Sequence, residues 1–138
     1  MKPELWLNRA DQELLRAQDL LTAGSLLWSV SYAHRAAEYA LEGLIFLRTG
    51  VRPEKGARIA DLRRALTDGL PGPVDKVVSE LAELTPLVWQ SDPNNPLITT
   101  LTEVRARDLF NGVTGIVNLA YDELKIKNGS GEGSAEPI

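Results

Sequence analysis

The sequence has no cysteine and a single histidine. These absences rule out a disulfide framework and thiolate metal sites, and they make a transition-metal centre improbable, so no metal or cofactor is expected. They also leave little acid–base machinery near neutral pH, where histidine is the one side chain that titrates unperturbed. No apolar run approaches the length of a membrane span, and the first residues, MKPELWLNRADQ, are polar and helix-like rather than a basic-then-apolar leader. A cytoplasmic protein that does not enter membranes is the expectation. Strand-like alternation and Asn-Gly hairpin turns between apolar runs are likewise missing, which points away from β structure.

What the chain does contain is helical periodicity. Its 138 residues fit one domain with a sizeable core. Leu7, Ala10, Leu14, Ala17 and Leu21 recur in steps of three and four behind Pro3, with Gly24 as a stop. A second helix is expected from Leu26 to Thr49, ended by Gly50 in a left-handed turn. Its seam of Ala33, Ala36, Ala37, Ala40 and Gly43 suits close approach of a neighbouring helix. Ile59, Leu62, Leu66 and Leu70 give a short helix, PGP breaks it, and Val74, Val77, Val78, Leu81 and Leu84 give another that stops before Pro86. Thr100 and Glu103 have capping-box spacing, so a long last helix is expected from there to about Lys127, with Gly112 and Gly115 inside it. QSDPNNP reads as loop. The reading is all-α: an up-and-down bundle of three long and two short helices over residues 1–127, followed by a disordered Gly/Ser/Glu-rich tail at 128–138. The small-residue surfaces on the second and last helices suggest a homodimer.

Charge is uneven. The net charge is −4, yet between Arg48 and Arg64 six cations face only Glu54 and Asp61, a local excess of four that leaves −8 on the rest. Arg48 suits a helix C-terminus, and Arg64 has Asp61 or Asp68 within pairing distance in sequence. Arg52, Lys55 and Arg58 have no such structural reason. They are candidates for binding phosphate or an acidic partner, with an ordinary solvated loop as the alternative. Arg105 and Arg107 at the start of the last helix are a second candidate phosphate contact, against a solvated face of side-chain pairs. His34 has Glu38 one turn on; the favoured reading is a paired polar groove or interface rather than a catalytic site, so no catalytic residue is assigned. Trp6, Trp28 and Trp89 read as core or interface before base-stacking groups.

The stretch AHRAAEYALEGLIFLRTGVRPEKGARIADLRRAL, residues 33–66, resembles the HEPN family, a nucleotide-binding domain of higher eukaryotes and prokaryotes. Ala33, Ala37, Glu38, Ala40, Leu41, Leu44 and Gly50 resemble the family's second helix, and Pro53, Asp61, Leu62 and Leu66 its loop and third helix. The sequence departs from the family pattern at Glu42, where a lysine is common, and at Ala60, where a histidine is common. The Arg-x(4–6)-His signature of ribonuclease members is absent, since no histidine follows Arg105 or Arg107. The resemblance, over about residues 3 to 127, implies a four-helix-bundle architecture. It also implies a non-catalytic or weakly active binding subunit for nucleotide, RNA or protein, acting beside a separate nucleotidyltransferase in a toxin–antitoxin-like or nucleotide-handling pair. The alternatives are a HEPN-type ribonuclease toxin with a non-standard active site, using Arg105, Arg107 and His34, and a pure oligomerisation module.

Overall fold

The computed structural model describes residues 2–84 and 101–132, and five helices lie within them. They are α1 (Pro3–Thr22), α2 (Leu26–Thr49), α3 (Ile59–Ala65), α4 (Gly72–Glu83) and α5 (Glu103–Glu132). The all-α reading holds. Trp89, QSDPNNP and Thr100 lie outside the described residues.

The long helices form where the sequence period is helical and stop where backbone chemistry demands it. Pro3 opens α1, where no intrahelical amide is lost. Gly50 closes α2 at φ 74°, its N–H bonded to the Phe46 carbonyl at 2.8 Å. Thr102 caps α5: its hydroxyl accepts the Arg105 N–H at 3.1 Å. α5 also outruns its expected end near Lys127 and continues to Glu132. α3 is shorter than its apolar spacing suggests. The Leu66 N–H turns back to the Arg63 carbonyl, and Gly69 at φ 80° bends the chain, so Leu66 packs from beyond the helix.

α2 is the central element. α1 runs antiparallel to it, with the Ser29 hydroxyl donating to the Ala17 carbonyl at 2.7 Å near one end and Trp6 against Phe46, 5.2 Å between ring centres, near the other. Ala33, Ala36, Ala37 and Ala40 are essentially inaccessible, and a Cβ on Gly43 would sit 3.2 Å from Leu7. The small seam is thus filled by α1 of the same chain and offers no surface to a second copy, which removes that ground for expecting a dimer. α5 crosses back against α1, where the Tyr121 hydroxyl donates to Asp11 at 2.5 Å. Arg48 makes a two-pronged ion pair with Glu123, and Lys127 donates to the Leu47 carbonyl at 2.7 Å, so the end of α2 is tied to α5. α3 packs on α2, and α4 packs on α3 and α5. Leu41, Leu44, Ile59, Leu81, Val113 and Ile116 meet in the fully buried centre. Among the described residues, no helix is long and apolar enough to cross a membrane.

Candidate ligand groove

Arg35, Glu38, Tyr39 and Glu42 stand at positions i, i+3, i+4 and i+7 of α2, one stripe of its surface. The connection to α3 folds over the lower part of that stripe. Gly50 and Gly56, at φ 74° and 87°, supply left-handed turns that residues with a Cβ rarely adopt. The connection is pinned at both ends: the Val51 N–H donates to the Thr49 hydroxyl at 3.1 Å, and the Arg58 N–H to the Asp61 carboxylate at 3.0 Å. Between loop and helix lie two adjoining cavities. One, of about 660 Å³, is walled by Trp6 and Arg9 of α1, by Tyr39 and Glu42, and by Arg52 to Gly56. The other, of about 310 Å³, is walled by Arg35, Glu38, Tyr39, Glu42 and Gly56 to Arg58. They share Tyr39, Glu42 and Gly56 and form one groove.

Its electrostatics follow from burial. Glu38 is 7% exposed, and desolvation pushes its carboxyl up to about 7, an effect that the nearby Arg58 charge offsets in part. His34, behind it, is 0% exposed; desolvation depresses the imidazole to about 4, against the raising effect of its hydrogen bond to the Leu81 backbone. His34 Nδ1 lies 3.8 Å from Glu38 Oε1. Between pH 4 and 7 this pair is therefore mostly imidazole and carboxylic acid, both uncharged. Glu42 is also raised by burial, while a hydrogen bond from Trp6 and the charges of Arg9 and Arg52 pull it down. The Arg52 guanidinium sits 6.0 Å from the Trp6 ring centre.

The structure brings Arg52, Lys55, Arg58 and Glu38 around one groove and buries His34 beneath it. Arg105 and Arg107 go elsewhere: Arg105 pairs with Glu80 at 2.9 Å and Arg107 with Glu103 at 2.7 Å, both on the surface. The other cations of the basic segment are held in place too. Arg48 binds Glu123, Arg63 makes a two-pronged pair with Asp75 at 2.8 Å, and Arg64 pairs with Asp61. Sequence reasoning missed Arg9, Arg35 and Tyr39 as groove residues. The i, i+3, i+4, i+7 run of polar groups on an otherwise small-residue helix is the signal that would have found Arg35 and Tyr39; Arg9 comes from α1 and carries no such signal. Among the described residues no group of three His, Cys, Asp or Glu side chains is placed to hold a metal ion.

The chain is similar in fold to two solved structures. One is TT1696 from Thermus thermophilus, 24% identical at a TM-score of 0.73, with 88% of this chain and 97% of that one covered. The other is ST0689, an archaeal HEPN homologue, 18% identical at a TM-score of 0.71, with 89% and 98% covered. No curated protein matches. The HEPN domain model matches residues 3–124, from the first turn of α1 to the part of α5 that meets α1 and α2. With the family pattern spanning nearly the whole bundle, the chain belongs to the HEPN domain family.

Proposed function

We propose that this protein is a non-catalytic or weakly active HEPN-family binding subunit, working beside a separate nucleotidyltransferase in a toxin–antitoxin-like or nucleotide-handling pair. The groove under the 50–58 loop takes a phosphate-bearing ligand. One observation carries this reading: of the six cations between Arg48 and Arg64, three serve ion pairs within the bundle, while Arg52, Lys55 and Arg58 all line the groove. Self-association belongs to the same reading, and exposed apolar side chains such as Leu5, Val51 and Ile126 are what it would bury in place of the filled α2 seam. The buried, uncharged His34 argues against a ribonuclease that uses it, since a general acid or base must reach the proton it transfers. Glu38, held near neutral pKa at the groove, is the group that a ribonuclease reading would have to use instead.

The test is the triple variant Arg52→Ser, Lys55→Ser, Arg58→Ser. We expect RNA or nucleotide affinity to fall by about tenfold or more at low salt, and the slope of log affinity against log salt to flatten as phosphate contacts are lost. Helical content should be retained. Unchanged affinity and slope for every ligand that the wild type binds would remove the groove from function.

A further inference from the structure

The groove does not end at Arg35. Trp28, Tyr32, Arg35 and Tyr39 of α2 are separated by four, three and four residues, so at 100° per residue they fall within about 60° of one another on the helix surface. All four reach solvent. Trp28 is 55% exposed, whereas the other described tryptophan, Trp6, is buried at 3%. The stripe continues the Tyr39 wall of the groove to the far end of α2, about 17 Å along the axis from Tyr39 to Trp28. Cations flank it along its length: the Arg16 guanidinium of α1 lies 5.8 Å from the Tyr32 ring centre, Arg35 rises from the stripe itself, and Arg58 borders its lower end. Three carboxylates are near, Glu13, Glu38 and Glu42, and none offsets the cations in full: Glu38 is 7% exposed, and burial raises its carboxyl to about 7. Glu13 is 8% exposed and pairs with Arg16 at 3.3 Å, and burial raises the Glu42 carboxyl above its ordinary value, against the charges of Arg9 and Arg52.

One exposed ring, Trp28, and two partly exposed ones, Tyr32 and Tyr39, spaced along a line of cations answer the needs of one ligand class, a single-stranded polynucleotide, whose bases stack on rings while its backbone tracks the cations. A duplex hides its base faces. Acidic side chains alone would engage the cations and leave the rings idle. We infer that the outer face of α2, from Tyr39 to Trp28, is a stacking track for single-stranded RNA that enters or leaves the loop groove. The inference rests on the groove binding a phosphate-bearing ligand and extends the footprint from one nucleotide to several.

The experiment is fluorescence anisotropy with a labelled short oligouridylate, carried out on the wild type, Trp28→Ala, Trp28→Phe and the loop triple variant. Trp28→Ala should weaken binding about tenfold, the loss of one stacked base, while Trp28→Phe keeps most of the affinity. Binding of uridine monophosphate, too short to reach Trp28, should be the same in Trp28→Ala and the wild type. Loss of affinity in Trp28→Ala with none in the loop variant would keep stacking on α2 but remove the groove, and so overturn the continuous footprint. The reverse would overturn the track and leave the groove standing. Wild-type affinity in Trp28→Ala, no oligonucleotide binding by the wild type at low salt, or equal competition by polyglutamate, which would mark an acidic-protein surface, would each overturn the inference.

Discussion

Replacing Glu38 with glutamine should make the protein more stable above neutral pH, by an amount on the order of 3 kcal/mol. The carboxyl titrates at about 7 in the fold against an ordinary value of 4.5, so the folded state holds a proton that the unfolded chain has released between those limits. Wild-type stability conferred by this group therefore falls as pH rises from 4.5 to 7, at about 1.4 kcal/mol per unit. Glutamine has nothing to ionise and escapes that loss. His34 works in the opposite direction. Its folded value of about 4 lies below the ordinary 6.5, so the unfolded chain takes up the extra proton, and stability falls as pH drops from 6.5 to 4. Where the two windows overlap, the slopes oppose each other and the wild type is nearly flat with respect to this pair. Glu38→Gln should expose the His34 limb alone, with stability declining steadily below pH 6.5. Urea unfolding of both proteins across this pH range checks the shape. A variant less stable than wild type at pH 8 would mean that the fold holds Glu38 as an anion.

Gly112→Val should destabilise the bundle by about 1–3 kcal/mol, as overpacking of a tight contact typically does. A Cβ at Gly112 would lie 2.8 Å from each methyl of Val77, closer than real Cβ atoms come, and valine's stiff side chain leaves it little room to turn aside. The close approach of α4 to α5 therefore requires glycine there. Gly115, one turn on, supplies the control: nothing lies within 4 Å of its added Cβ, so Gly115→Ala should stabilise α5 by about 0.5–1 kcal/mol through helix propensity alone. Denaturant midpoints for the two variants should move in opposite directions. Shifts of the same sign would contradict the α4–α5 packing.

Gly112 and Gly115, both simply glycines inside the last helix as far as the sequence tells, show where pattern reasoning stops. Both interrupt the same helix, but only the position of Val77 on a distant element distinguishes them. The five helices were legible because apolar period and stop signals are local properties. The small seam of α2 was legible as a close-approach surface, but its occupant was not: α1 of the same chain fills it, because which helix lies opposite is a long-range fact. The candidate site was half legible. Arg52, Lys55 and Arg58 stood out as a cluster of cations for which the sequence offers no simple structural reason, and the loop does carry them to one groove. Arg105 and Arg107 looked similar, but Glu80, twenty-five residues before Arg105, comes to pair with it across α4 and α5. The burial of His34 was equally hidden, because a histidine on a seam of alanines shows its depth only when Leu81 of α4 closes over it.

A binding subunit and a ribonuclease would differ in what becomes of RNA offered to them. In this chain the groove cations and the α2 rings lie at the surface, while the single histidine lies beneath it, uncharged and out of reach. Incubating the wild-type protein with end-labelled single-stranded RNA in EDTA at low salt, then resolving bound from free and intact from cut on the same samples, tests a binding role most directly. A binding subunit should retain the RNA at full length. Fragments that accumulate with time and vanish in Glu38→Gln, or RNA that is not retained at all, would contradict that role.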